Sequence, residues 1–290
     1  MSIIITGATG QLGRIVIAEL LAAGVPAGEI TAVARDKEKA ADLAARGVQV
    51  HIADYDQPDT FAGAFRAGDR VLLVSGTDIG RRTAQHSAVI DAAKAAGVAQ
   101  LAYVGIFGGP KADFLLGDEH RATEQLILDS GLPYTFLRDN WYSEMYLGDL
   151  AGIVERGAVV TNVAPGSRIA TAPRRDYAAA AAVVMREDGH LNTAYELGGD
   201  SAWSFEEFAE EVTRQTGRTV VHTSVTAAER KAILTGAGVP AAFAEILVDV
   251  DEAIGRGALS ATPGDLSRLI GRPTTPIADS IAEALTSASS

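Results

Sequence analysis

Cysteine is absent from this sequence of 290 residues. Its absence excludes disulfides, a catalytic thiolate, and cysteine-based zinc or iron–sulfur sites. The five histidines, at positions 51, 86, 120, 190 and 222, lack the spacing of metal ligands, so we expect no metal site. A chain without cysteine is also consistent with a reducing compartment, which favours a cytoplasmic location.

Basic charge and long apolar runs are scarce as well. Lys and Arg total 25 against 37 Asp and Glu, which gives a net charge of -12. An acidic surface without a basic patch repels phosphate backbones, so we expect no nucleic-acid partner. No run of about 18 apolar residues is present, and the first residues do not resemble a signal peptide. We therefore expect no membrane association and a cytoplasmic protein.

The sequence does contain a pattern that repeats along its first half: a short apolar run, then a turn with glycine, then a helical segment. The apolar runs are rich in β-branched residues and are continuous, as in parallel strands covered by helices on both faces. They span residues 3–6, 30–35, 48–52, 71–74, 101–104 and 134–138. Six such strands predict an α/β fold built on a Rossmann-type doubly wound parallel sheet.

The repeated order ends after residue 138, although residues 174–186 still predict a helix. No linker-like stretch separates the two halves of the chain. We expect residues 1–140 to form the main region and residues 141–290 to form a smaller α+β C-terminal lobe that does not fold independently. The main sheet would borrow structure from residues 158–200.

The segment "TGATGQLG" carries the clearest functional signal. Gly7, Gly10 and Gly13 follow the first strand directly and open a helix. Glycine at these points lets the backbone turn tightly and approach a pyrophosphate, whose charge the helix N-terminus stabilises. We therefore expect a nicotinamide dinucleotide to contact the whole loop, which comprises Gly7, Ala8, Thr9, Gly10, Gln11, Leu12 and Gly13.

The end of the second strand predicts which dinucleotide is preferred. NAD-selective sites usually place an acid there to bind the ribose hydroxyls, whereas this strand ends in Arg35. A guanidinium suits a 2'-phosphate, because it can bind the phosphate through two hydrogen bonds. We therefore expect NADPH in preference to NADH. Asp36 follows at once and would weaken that preference if it turned toward the ribose.

Small and polar residues also follow the next strands of the predicted sheet. Because parallel strands end at the same edge, these residues are further candidates for contact with the dinucleotide. Asp54 would hold the adenine edge or cap a helix, and the polar residues after the fourth strand would line the path to the nicotinamide ribose or only form a turn. The full set is Asp54, Tyr55, Ser75, Gly76, Thr77, Tyr103, Val104 and Gly105.

A tyrosine followed four residues later by lysine, the acid–base pair of many such reductases, is missing. None of the seven tyrosines has this partner; Tyr103, for example, is followed by Phe107. The pair requires a helix, where residues four apart share a face and lysine lowers the pKa of tyrosine. We therefore do not expect ordinary alcohol dehydrogenation with tyrosine as the acid.

Several longer segments resemble one known family. They are "TGATGQLG", "AVAR", "AAKAAGV", "DEHRATEQLI", "SGLPYTFLR", "WYSEMY", "YELGGDSAWS" and "LSRLIGRPTTP". Together they resemble the NmrA-like atypical short-chain dehydrogenases, and more narrowly the bacterial type 2 NAD(P)H:quinone oxidoreductases and the triphenylmethane-dye reductases. The resemblance implies NADPH without flavin, direct hydride transfer in a two-electron reduction of a quinone-like acceptor, and a homodimer.

The resemblance also bears on His120 of "DEHRATEQLI". Many atypical members carry a lysine on this helix, whereas the quinone-reductase branch resembles this sequence in having histidine. His120 would then contact the cofactor ribose or the acceptor, or would only cover the helix. A quinone needs no positioned acid, because hydride attack yields a resonance-stabilised phenolate that water can protonate.

A flat acceptor still requires orientation, which stacking on aromatic rings provides. Residues at the ends of the fifth and sixth strands are candidates, although the aromatic ones would serve equally well as core. Asn140 would hydrogen-bond the acceptor or the carboxamide, and His86, on the loop after the fourth strand, would gate the pocket or lie on the surface. The candidate set is Phe107, Asn140, Trp141, Tyr142 and His86.

Three other functions fit parts of the pattern. A redox sensor of the NmrA type binds the dinucleotide and regulates a partner without turnover, which the missing tyrosine–lysine pair permits. A triphenylmethane-dye or enone reductase differs from a quinone reductase only in its substrate. A nucleotide-sugar epimerase fits least, because its chemistry normally uses the missing pair.

Overall fold

The computed structural model describes residues 2–288 as an α/β protein. Seven parallel strands form its main sheet in the order β3-β2-β1-β4-β5-β6-β9. They are β1 Ile3–Ile5, β2 Ile30–Ala34, β3 Gln49–Ile52, β4 Arg70–Val74, β5 Gln100–Ile106, β6 Tyr134–Asp139 and β9 Thr193–Leu197. The Rossmann-type doubly wound sheet and its six predicted strands are confirmed, with ends that differ by at most two residues.

Helices cover both faces of this sheet and continue into the second half of the chain. They are α1 Gln11–Ala22, α2 Ala41–Ala45, α3 Arg82–Ala96, α4 Leu115–Ser130, α5 Glu144–Leu147, α6 Leu150–Arg156, α7 Arg174–Arg186, α8 Phe205–Thr216, α9 Ala227–Gly236, α10 Ala241–Gly255, α11 Asp265–Ile270 and α12 Ile277–Ala288. No helix within residues 2–288 is long and apolar enough to cross a membrane.

The continuous apolar character of the strands follows from burial on both faces. Every residue of β5 is buried. On one face the strands pack against α1 and α7, and on the other against α3 and α4. The first helix contributes Val16, Ile17 and Leu20, which lie on one side and are fully buried. Burial of each such side chain stabilises the fold by roughly 1.5 to 3 kcal/mol.

The second half of the chain contributes to the main sheet. Its strand β9 pairs in parallel with β6, and helix α7 packs against α1. The run of alanines in α7 explains this packing, because Ala178, Ala181 and Ala182 are buried and small side chains let two helices approach closely. Residues after 141 therefore complete the layer that supports the glycine loop.

A second core lies under two small sheets. These sheets pair β8 (Arg168–Ile169) with β10 (Trp203–Ser204), and β7 (Ala158–Thr161) with β11 (Val221–Ser224). The core centres on aromatic side chains packed edge to face, including Trp203, Phe205 and Tyr146. This is the smaller α+β C-terminal lobe.

Candidate active site

A cavity of about 660 Å³ runs along the carboxyl ends of β1, β2, β4 and β5. Many of the residues that the sequence analysis predicts as cofactor contacts line this cavity. They are Gly7, Thr9, Gly10, Gln11, Leu12, Gly13, Arg35, Tyr55, Ser75, Gly76, Thr77 and Val104. Because parallel strands present their carboxyl ends to one groove, candidates from five separate segments converge there.

The glycine loop forms the middle of the cavity wall. Gly7 has a φ of +58°, and the Gly10 amide donates to the Gly7 carbonyl at 2.9 Å. A Cβ on Gly13 would lie 2.5 Å from the Gly7 carbonyl oxygen, so only glycine lets α1 start this close to the loop. No side chain caps the first turn of α1, whose backbone amides therefore stay available to an anion.

Two cations lie at the end of the cavity that β2 forms. Arg35 and Lys39 are exposed, and neither side chain has an acidic partner among residues 2–288, in a protein of net charge -12. The Asp36 carboxylate instead accepts the backbone amides of Glu38 and Lys39, which closes a tight turn. Asp36 is thus held in the turn, whereas both cations border open space.

Tyr55 lies between the loop after β3 and the glycine loop. Its hydroxyl donates to Thr6 Oγ1 at 2.7 Å, and its ring stacks on Phe61. Burial raises the pKa of Tyr55 to about 12, so the hydroxyl stays protonated. The neighbouring Asp54 does not line the cavity, because its carboxylate accepts the backbone amide of Asp56.

The other candidate cofactor contacts that do not line the cavity are Ala8, Tyr103, Gly105 and His120. Ala8 and Tyr103 are fully buried under the loop and the sheet. His120 is also buried, with Nδ1 2.7 Å from the Tyr103 hydroxyl. Burial, and then the charge of Arg82, hold the pKa of His120 well below its usual value. The reading of His120 as a residue that only covers the helix agrees with this position.

Two expectations for His86 are wrong. It does not lie on the loop after β4, and it does not lie on the surface. It belongs to α3 and is fully buried. Its Nε2 accepts the Gly76 amide at 3.0 Å, so Nδ1 carries the proton and donates to Thr123 Oγ1 at 2.9 Å. Burial, and then the nearby Arg82, lower the pKa of His86 to about 3. His86 therefore holds the loop after β4 from behind and cannot gate the cavity.

Arg82 reaches the cavity from the first turn of α3, and sequence reasoning missed it. Only 5% of the residue is exposed, and its Nε donates to the Gly76 carbonyl at 2.8 Å. One terminal nitrogen of its guanidinium has no hydrogen-bond partner, and the nearest acid, Glu119, lies 3.7 Å away. No local pattern marks this residue, because its burial depends on how α3 meets α4.

Tyr142 and Arg174 form the wall at the β6 side of the cavity. The guanidinium of Arg174 lies over the Tyr142 ring at 4.8 Å, a cation–π contact. The Tyr142 hydroxyl donates to Asp139 at 2.9 Å. Burial raises the pKa of Asp139 to about 8, which the hydrogen bond from Tyr142 partly opposes.

Tyr142 is the only one of the five candidate acceptor contacts that borders this cavity in the described part of the chain. Phe107 is buried in the second core, and the partly buried Trp141 packs against that core. The Asn140 side chain accepts the Trp141 amide and donates to the Leu259 carbonyl, so both ends of its amide are already bonded. The predicted slot of several aromatic rings is therefore wrong for this cavity.

The remaining lining residues were not anticipated from the sequence. They are Val33, Ala34, Lys39, Ala53, Val74, Asp78, Arg82, Gln85 and Arg174. Within residues 2–288, no cluster of three or more histidine, aspartate or glutamate side chains is placed to hold a metal ion. The site thus offers an anion-binding loop, unpaired cations and one aromatic wall.

Comparison with known proteins agrees with this geometry. The profile of the NAD(P)H-binding family matches residues 7–188. Quinone oxidoreductase 2 of Escherichia coli is 43% identical over 279 residues, which cover 96% of this chain and 97% of that protein.

Two solved structures extend the comparison to three dimensions. The E. coli NADPH-dependent quinone oxidoreductase complexed with NADPH superposes with a TM-score of 0.94 at 42% identity, covering 98% of this chain and 99% of that one. The Citrobacter sp. triphenylmethane reductase complexed with NADP(H) superposes with a TM-score of 0.93 at 39% identity, covering 98% and 100%.

Proposed function

The chain belongs to the NAD(P)H-binding family, as a quinone-oxidoreductase-like enzyme of the NmrA-like group, and on that premise we propose that it reduces quinones with NADPH. In this proposal two electrons pass by direct hydride transfer without a flavin. The observation that carries it is the single cavity that joins an anion-binding glycine loop, two unpaired cations and an aromatic wall.

The residues present fit NADPH. The amides at the start of α1 would bind the pyrophosphate, and the missing side chain of Gly13 lets α1 start against the loop backbone at Gly7 and Ala8. Arg35 and Lys39 would bind the 2'-phosphate, which supplies the acidic partner that they otherwise lack. NADH has no such phosphate, so we propose NADPH as the preferred cofactor.

The other end of the cavity would take the acceptor. The Tyr142 ring offers an aromatic surface at this end of the cavity, and its cation–π contact with Arg174 helps to fix its orientation. A ring stacked there gains roughly 0.5 to 1.5 kcal/mol beyond its burial. Orientation is the main contribution required of the protein, because a quinone is already electrophilic and hydride transfer depends on a close, aligned approach.

When bound, NADPH supplies the hydride. The chain contributes binding at the glycine loop and orientation at Tyr142. No acid within the aromatic wall has to protonate the product during the transfer, because the phenolate is stabilised by resonance. Solvent can supply the proton after the acceptor ring leaves the wall.

Anaerobic stopped-flow mixing of the protein with NADPH and 1,4-benzoquinone tests the proposal. We expect NADPH oxidation that depends on the quinone, with one hydroquinone formed for each NADPH consumed. The visible spectrum of the purified protein should contain no flavin bands. Binding of NADPH without turnover across a panel of benzoquinones and naphthoquinones would contradict the proposal and favour the sensor hypothesis.

A triphenylmethane dye is the second acceptor to test, because the dye reductase of Citrobacter sp. superposes nearly as well as the quinone oxidoreductase. Such a dye is also electrophilic, because its cationic central carbon accepts a hydride, and one of its aryl rings could stack on the same wall. Competition between quinone and dye in one reaction would indicate one shared acceptor site. The ratio of kcat/KM for the quinone to kcat/KM for the dye then gives the preference of the enzyme between these two acceptors.

A further inference from the structure

A buried guanidinium without a full set of partners is unusual and costly. Arg82 is 5% exposed, and one of its terminal nitrogens makes no hydrogen bond within the described chain. A buried charged group that lacks a hydrogen-bond partner destabilises the folded state. Arg82 lines the cavity, so a molecule bound there can approach its guanidinium.

The groups around Arg82 leave one nitrogen of its guanidinium without a hydrogen bond. Glu119 lies 3.7 Å away, beyond hydrogen-bond distance, and its other oxygen accepts the Gly80 amide. His86 and His120, the titratable groups behind it, are buried and carry lowered pKa values, so both are neutral at pH 7. Glu119 therefore forms an ion pair with Arg82 without a hydrogen bond, and Arg82 itself lines the cavity.

The position of Arg82 distinguishes it from the cations that fit the cofactor phosphates. Arg35 follows β2, whereas Arg82 bonds to Gly76 after β4 and approaches Glu119 of α4, on the far side of the glycine loop. Gln85, one turn further along the same helix, donates to Asp56 after β3 and to Asp78 after β4. The polar contacts of Arg82 within residues 2–288 are thus with the β4 loop and α4, and not with the loops that follow β2 and β3.

We propose that Arg82 is a catalytic residue that binds the acceptor oxygen on which negative charge develops during reduction. The inference rests on the proposed function. Hydride adds to the quinone with both electrons, NADPH is oxidised to NADP+, and the oxygen becomes a phenolate that the guanidinium holds until solvent protonates it. A charged donor aimed at an oxygen that gains charge lowers the barrier, because the interaction is stronger in the transition state than with the neutral quinone.

The test uses 4-nitrophenol as a probe, because its ionised form resembles the reduced acceptor and is seen directly by absorbance. It is titrated against protein saturated with NADP+ over a range of pH. We expect the bound probe to ionise at lower pH than the free probe. Arg82→Gln should weaken binding of the phenolate by about 10- to 100-fold and leave binding of the neutral phenol unchanged.

Two further variants keep the test decisive. Arg81→Gln removes the neighbouring arginine, which is exposed and paired with Asp56 outside the cavity lining, and it should bind the probe like the wild type. Arg82→Lys retains the charge but not the planar fork, so a loss of about 3- to 10-fold is expected. This variant carries the test if Arg82→Gln does not fold.

Three results would overturn the assignment. One is a wild-type protein that does not bind phenolate more tightly than phenol. Another is equal probe ionisation in all variants. The third is an Arg82→Gln protein that binds NADP+ more weakly but the phenolate unchanged, which would make the guanidinium a cofactor contact. Failure of the proposed function gives a different pattern, in which Arg82-dependent phenolate binding persists while the wild type does not reduce quinones.

Discussion

Replacing Gly13 with alanine tests whether the contact between α1 and the glycine loop sets both stability and cofactor affinity. A Cβ at this position would lie 2.5 Å from the Gly7 carbonyl oxygen and 2.9 Å from the Ala8 Cα. Packed heavy atoms normally stay roughly 3.5 Å apart, so the loop and the helix would have to separate by roughly 1 Å. Both neighbours are backbone atoms and cannot rotate away.

Two effects of opposite sign decide the magnitude. Alanine is favoured over glycine inside a helix by roughly 1 kcal/mol. Overpacking costs typically about 1 to 3 kcal/mol, and here the upper part applies because Val16, Ile17 and Leu20 anchor α1 in the core. We therefore expect the free energy of unfolding to fall by about 1 to 2 kcal/mol.

Denaturant unfolding and NADPH titration measure the two consequences. The displaced loop should also bind NADPH about tenfold more weakly, since its amides no longer converge on the pyrophosphate. Gly255→Ala is the matched control, because this glycine ends α10 with no atom within 4 Å of the added Cβ. It should be neutral or stabilising. Equal stability and wild-type NADPH affinity in Gly13→Ala would refute the reasoning.

Three further predictions concern charge. Arg35→Ala and Lys39→Ala should each raise the Kd for NADPH about fivefold and leave NADH binding unchanged. The factor follows because an exposed charged contact contributes about 1 kcal/mol. Equal effects on both cofactors would exclude a contact with the 2'-phosphate. The pKa of Asp139 is raised to about 8, so its contribution to the free energy of unfolding is present below pH about 4 and is lost as the pH rises through 8. The slope of this loss is at most about 1.4 kcal/mol per pH unit. In the variant Asp139→Asn, the free energy of unfolding should decline less with rising pH. The pKa of His86 is lowered to about 3, so its contribution to the free energy of unfolding is present above pH about 6.5 and is lost on acidification toward pH 3. Urea unfolding of His86→Asn should show less destabilisation by acid than the wild type. An unchanged pH profile in this variant would mean that another group causes the acid destabilisation.

The strands of the main sheet could be read from the sequence because their signal is local. A strand buried on both faces must be apolar at every position, as in the run that became β5. The glycine loop is equally local, since the turn at Gly7 and the close approach at Gly13 each require a missing side chain. Arg35 belongs to the same class, because its position at a strand end follows from the strand itself.

The residues whose roles depend on distant partners could not be read in this way. Asn140 is engaged by the Leu259 carbonyl, 119 positions away along the chain. His86 looks like a surface residue until α4 brings Thr123 against it. The sequence does not show whether the hydrogen bonds of a polar side chain are already made within the protein. A polar residue is therefore assigned to a ligand too readily from sequence alone.

The amino-acid sequence by itself determined the parallel sheet, the dinucleotide loop and the cation at the end of β2, because each follows from the steric needs of a few consecutive residues. Only the tertiary structure decided which polar groups face the cavity. Arg82 and Tyr142 come from segments 60 residues apart and meet there through the order of β4, β5 and β6. Burial and unmet hydrogen bonds are properties of packed elements, and they exist only after the chain has folded.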